Sequence, residues 1–136
     1  MAADPAFAAT AKRPTPVKLT TVPGATVLTA PDITSTGDRA SLITGGTNGT
    51  KITEVVLHST GTSVAGFVAL FIYAGGTHYL YDMIPITAIT GSVTVQPFHR
   101  VIRYENLILA SGQELRAIVT VTQTTAMAVH VEAADF

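Results

Sequence analysis

Cysteine is absent from this sequence, and so is tryptophan. Without thiols there is no disulfide framework, no zinc ribbon and no thiol catalysis. Ionic groups are sparse as well: Asp, Glu, Lys and Arg make up 12% of the 136 residues, about half the usual share. The formal net charge of −1 excludes bulk electrostatic attraction to nucleic acid or to an anionic membrane. So few charges leave little with which to solvate a free surface, which favours a protein that lives packed against partners. The longest apolar run, Val64 to Ala74, is too short to cross a bilayer as a helix. The opening stretch MAADPAFAATAKRP places its basic pair after the small residues, the reverse of a secretory layout. Synthesis and retention in a cytoplasm are therefore expected, and the sequon Asn48-Gly49-Thr50 reads as a turn.

What is abundant is β-branched. Threonine alone occurs 22 times, and with Val and Ile it favours strand over helix nearly everywhere. The stretch that organises the rest is SVAGFVALFIYAGGTHYLYDMIP, residues 63–85. Gly75-Gly76 between two apolar runs is a two-residue hairpin signal. That loop predicts Ile72 opposite Tyr79, Leu70 opposite Tyr81 and Val68 opposite Met83 on a core-facing side. The other side pairs Tyr73 with His78, Phe71 with Leu80 and Ala69 with Asp82. Its centre is apolar, so either a second layer of the chain or another subunit has to cover Phe71 and Leu80.

Along the chain, residues 1–23 read as an extended N-terminal arm or, alternatively, a disordered tail, and Pro14 and Pro16 exclude a helix there. The arm carries Lys12, Arg13 and Lys18, three of the eight basic residues, and can lie along a neighbouring protein. Residues 24–136 form the folded domain. Strands are expected at Thr26–Ala30, Arg39–Thr44, Lys51–Ser59, the two arms of the hairpin, Ile86–Ile89, Ser92–Val95, Arg100–Tyr104, Asn106–Ala110, Glu114–Gln123 and Met127–Ala133. Alternation turns Thr53, Val55 and Leu57 inward in the third of these, with Ile52, Glu54, Val56 and His58 outward. In the last two, Leu115, Ala117, Val119, Val121, Met127, Val129 and Val131 face inward, and His130 and Glu132 outward. Gly66 marks a bend or bulge. With about eight principal strands and no helix, the fold class is all-β: a jelly-roll-like antiparallel β-sandwich, with an immunoglobulin-like sandwich second.

Chemistry is harder to find. The histidines His58, His78, His99 and His130 fall on separate segments with no strand-type His-x-His pair, so they read as independent surface or interface groups. Asp32 and Asp38 flank a polar loop and read as turn formers. Gly45 to Lys51 lacks the spacing of a phosphate loop, and no nucleophile elbow occurs. Arg100, Arg103 and Tyr104 are the only basic–aromatic cluster, and Glu105 dilutes it. No catalytic residue, metal ligand or cofactor site is assigned, and an enzyme is the least favoured class.

The segments THYLYDMIPI, ENLILASGQELRAIVTVTQ and AMAVHVEAADF resemble those of small β-sandwich virion proteins of tailed bacteriophages, of the capsid decoration or cement type. The resemblance covers about residues 25–136 and is one of style, without a signature motif. It implies a structural protein on the outer surface of a virion, made in the bacterial host cytoplasm, with itself as partner in a homotrimer and the major capsid protein as its seat. On that reading Lys12, Arg13, Pro14, Pro16 and Lys18 form a capsid-binding arm, and Phe71, Tyr73, His78 and Leu80 lie at a subunit interface. Direct nucleic-acid or membrane contact is not expected. The alternatives are a phage tail, neck or fibre-base component, and a carbohydrate-binding β-sandwich.

Overall fold

The computed structural model describes residues 10–20 and 39–136. The expected strand Thr26–Ala30 and the loop with Asp32 and Asp38 lie outside the described residues. So do the first nine residues of the arm.

The described chain is all-β, and each pair of neighbouring strands is antiparallel. In chain order the strands are β1 (Thr10–Lys12), β2 (Val17–Leu19), β3 (Ala40–Thr44), β4 (Thr50–Ser59), β5 (Thr62–Ser63), β6 (Gly66–Ala74), β7 (Thr77–Ile86), β8 (Ile89–Thr90), β9 (His99–Leu109), β10 (Glu114–Val119) and β11 (Met127–Asp135). One sheet runs β1-β11-β4-β9, with β2 also paired to β11. It is called the histidine sheet below. The other runs β3-β10-β6-β7 and is called the hairpin sheet. The short strands β5 and β8 pair with each other.

Between the sheets lies the main core. The histidine sheet contributes Ile52, Val55, Leu57, Leu107, Leu109, Met127, Val129 and Val131, and the hairpin sheet Val68, Leu70, Ile84, Leu115, Ala117 and Val119, all at most 2% exposed. The inward set read from alternation is therefore largely correct: of its β10 and β11 members only Val121, which lies beyond β10, stays half-buried. The polar interior group Gln123 is 2% exposed and fully used. Its Oε1 accepts from Val64 N–H, and its Nε2 donates to the carbonyls of Val64 and Val121. Its own N–H donates to the carbonyl of Thr20, tying the N-terminal segment to the end of the sandwich. At Gly66 a Cβ would stand 3.0 Å from Val121, so glycine there permits the close passage of β6 past the chain after β10.

Four pairings depart from simple alternation: β3 with β10, β6 with β7, and β4 with both of its neighbours. In the hairpin, Gly75 and Gly76 take the positive φ values (59° and 80°) of the expected two-residue turn, and Ile72 does oppose Tyr79. Beyond Phe71–Leu80, however, the pairing slips by one. Leu70 faces Asp82, Ala69 faces Met83 and Val68 faces Ile84, with Tyr81 as the extra residue. The bulge lets the apolar Ile84 replace Met83 opposite Val68 and fill the core. In β4 an irregularity between Ile52 and Glu54 turns Ile52 inward beside Val55 and leaves Thr53 exposed. The expected strands Arg100–Tyr104 and Asn106–Ala110 are one long strand, β9, interrupted opposite that same site. Ser92–Val95 is not a strand but a turn in which Ser92 N–H donates to the carbonyl of Val95.

Candidate functional site

On the outer face of the hairpin sheet, side chains from four strands interlock. Phe71 is completely buried, the guanidinium of Arg39 lies 4.5 Å from its ring centre, and His78 meets its edge. His78 also lies against Tyr73, with ring centres 4.6 Å apart, as the register predicts for facing residues. Arg116 of β10 covers Tyr73 at 3.7 Å and places Nη1 3.2 Å from His78 Nε2. A guanidinium only donates, so His78 Nε2 accepts and its proton sits on Nδ1. Burial first, then the charges of Arg39 and Arg116, keep that imidazole below its ordinary value. Arg116 Nη2 donates to Glu114 at 2.8 Å, and Ser41 Oγ donates to the other carboxylate oxygen at 2.7 Å. The Ser41 bond and the arginine together hold Glu114 below the usual carboxylate range.

Of the four residues expected at a subunit contact, Phe71, Tyr73 and His78 thus pack together inside the chain. Leu80 is 39% exposed. Its neighbours Tyr79 and Tyr81 are 56% and 45% exposed, and all three lie on β7, the end strand of its sheet. Tyr81 leans on Tyr104 of β9, whose hydroxyl donates to Asp82 at 2.8 Å. Burial and that bond push the Tyr104 hydroxyl far above its ordinary value, so it remains a donor.

Residues of the expected arm lie along the chain's own last strand. Lys12 Nζ reaches the carbonyl of Thr44 and Asp135 Oδ1 (2.8 and 3.2 Å), and Arg13 pairs with Glu132 at 2.9 Å. Thr50, fully buried, also donates to Asp135. Pro14 and Pro16 fall between β1 and β2, where β11 loses its partner for a few residues. Lys18 opposes Ala128 and stays exposed.

The histidine sheet holds the group that strand-by-strand reading misses. His58 on β4 and His130 on β11 meet with their Nε2 atoms 2.9 Å apart. His99 stands opposite His58 on β9. His58 opposes Ala128, so His130 is its diagonal neighbour two residues on. The signal was there only in the outward placement of both residues; their pairing depends on a register across 72 residues of sequence. Burial, then His130 and His99, hold His58 below its ordinary value near 6.5. Among the described residues no cluster of three or more His, Asp or Glu is placed to hold a metal ion.

Comparison with family models, with characterised proteins and with solved structures gave no match.

Proposed function

We propose that this chain is a non-catalytic structural protein that self-associates and seats on a larger protein shell, as a bacteriophage capsid decoration protein does. The observation that carries the reading is the row Tyr79-Leu80-Tyr81. Three large side chains, each at least 39% exposed, lie in succession on the end strand of a sheet among the described residues, Leu80 on the face of Phe71 and Tyr79 on the face of Ile72, in a chain with few charges. Exposed apolar groups beside unpaired strand hydrogen-bonding groups form a template for another chain. The strand order supports the same reading. With β1 and β2 counted as one interrupted strand and the short β5 and β8 set aside, successive strands alternate between sheets except at the β6–β7 hairpin. Among the described strands, that order fits the two-Greek-key path of a jelly roll, an architecture common in viral shells.

On this reading the trimer contact centres on Leu80, with Phe71, Tyr73 and His78 stiffening the sheet behind it. The segment carrying Lys12, Arg13, Pro14, Pro16 and Lys18 faces the major capsid protein. Light scattering on the purified protein tests it: the expected mass is threefold, and Leu80→Asp combined with Tyr79→Ser lowers it to one copy. A wild-type monomer at high concentration overturns the reading. A ring of another order redirects it to a tail or neck component. Exposed Tyr79 and Tyr81 also suit a sugar-stacking platform, and binding on a glycan array by a monomer selects that alternative.

A further inference from the structure

Beside the histidine pair the surface opens into a pocket of about 350 Å³. Its wall is made by Lys18 on β2, His58 and Thr60 at the end of β4, Thr125, and His130 on β11, with Pro16, Ala126 and Ala128 as the apolar part. Among the described residues no carboxylate lines it. The nearest acid on the same face of β11, Glu132, is taken by Arg13, and Glu54 opposite it is approached by Arg103 at 3.6 Å. The outer face therefore divides. One end carries Lys18, His58, His99 and His130, and the acids farther along are matched by arginines.

The histidine contact itself has unused capacity. The Nε2 atoms approach more closely than the ring centres (2.9 against 4.9 Å), so the rings meet through their nitrogen edges. With both imidazoles neutral, one Nε2–H donates to the lone pair of the other. A proton added at the accepting Nε2 leaves two N–H donors aimed at the same spot, and the pair then needs an acceptor between them. Lys18 and two threonines line the pocket beside that spot. Cations on the wall oppose a metal ion and favour an anion.

We propose that this pocket is a proton-linked binding site for a small oxyanion, a sulfate, phosphate or carboxylate group, held by His58 and His130 with Lys18 as counter-charge. Binding exchanges the N–H···N bond for two N–H···O bonds and takes up one proton. The site goes beyond the structural role proposed above and does not depend on it. The charged and titratable groups facing the pair are Lys18 from β2 and His99 from β9; Thr60 and Thr125 are neutral.

The test is a titration of the full chain with sodium sulfate, followed by the side-chain nitrogen resonances of the histidines. Sulfate keeps its charge across the range used, so any pH dependence belongs to the protein. Saturable shifts at His58 and His130 are expected, with affinity rising by up to about tenfold per unit fall in pH where one proton is linked. Lys18→Ala should weaken binding without changing the fold. His130→Gln, which keeps one donor, should bind more weakly with a flattened pH dependence. A sulfated monosaccharide run in parallel separates a free ion from a group carried on a sugar: equal affinity assigns recognition to the oxyanion alone, tighter binding adds the sugar. An equal response to sodium chloride at matched ionic strength overturns the site, since screening alone then explains it. Tight zinc binding at the pair with no sulfate response also overturns it, in favour of a metal.

Discussion

The two sheets bury their inner faces alike but treat their outer faces differently. On the hairpin sheet the outer layer is closed: Phe71, Ala69 and Ile118 form a small second core at 0–4% exposure, roofed by Arg39, His78 and Met83. On the histidine sheet the corresponding positions, Val56, His58, His130 and Glu132, remain half-buried, and all but Val56 are polar. The same period-two alternation underlies both. The difference is that bulky apolar residues stand at outward positions of β6 and β10, where exposure would be unfavourable, and long cationic side chains fold over them. Arginine suits this because its stem covers apolar surface while its planar head stacks on a ring. One outer face therefore carries a second packed layer, with Leu80 left exposed on its end strand, and the other stays open and mostly polar.

The largest expected break in that contrast comes from Phe71→Ala set against Val56→Ala. Both are outward positions in the middle of a central strand. Phe71 is fully buried, and its removal should cost about 3–5 kcal/mol in chemical denaturation. Val56 is half-buried, and the same truncation should cost no more than about 1 kcal/mol. Equal losses would mean that the hairpin sheet's outer layer contributes no more than ordinary surface.

Much of this was legible beforehand. The all-β class followed from β-branched content and turn spacing, and the Gly75-Gly76 turn fixed the near half of the hairpin register. That Phe71 needed a cover was also readable from its place opposite Leu80. What covers it was not, because Arg39, just before β3, reaches its ring from a segment distant in sequence. Nor were the slips at Tyr81 and Thr53 visible: a bulge is settled by which side chains fill the core, and alternation alone is blind to it. The histidine pair was hidden for a related reason. Convergence of His58 with His130 is a property of the β4–β11 register, and a search for pairs spaced along one strand passes over it.

A smaller effect, on pH, sharpens the comparison. His58 and His78 each titrate below the ordinary value of 6.5 in the folded state, chiefly through burial. Between that value and the folded one the unfolded chain binds more protons. Stability is therefore complete above about pH 6.5 and falls as pH drops through the folded values. The two faces should respond differently to sulfate. At the histidine sheet a bound oxyanion compensates the new charge, so sulfate should restore part of the lost melting temperature near about pH 5.5, beyond matched chloride. His58→Asn should remove that restoration, and His78→Asn should not, since His78 is only 8% exposed and already faces two arginines. Restoration surviving His58→Asn would place the anion elsewhere.

The smallest effect concerns the seam where β1 joins the histidine sheet. Asp135 is held below the usual carboxylate range, first by the bond from Thr50 and then by Lys12. A carboxylate lowered in the folded state contributes stability above its ordinary value near 3.8, lost as pH falls through the folded value. Its anchoring is local: β1 is three residues long, pairs with Ala133, Ala134 and Asp135, and otherwise reaches the carbonyl of Thr44 through Lys12. Asp135→Asn keeps an acceptor for Thr50 but removes the charge facing Lys12. The amides of residues 10–12 should then exchange with solvent several-fold faster at neutral pH, as a short edge strand opens on its own. Amides of β4 and β9 should keep their protection, because the core between the sheets is untouched. If β4 loosens together with β1, the seam belongs to the cooperative unit and the N-terminal strand is part of the sandwich rather than a separable edge.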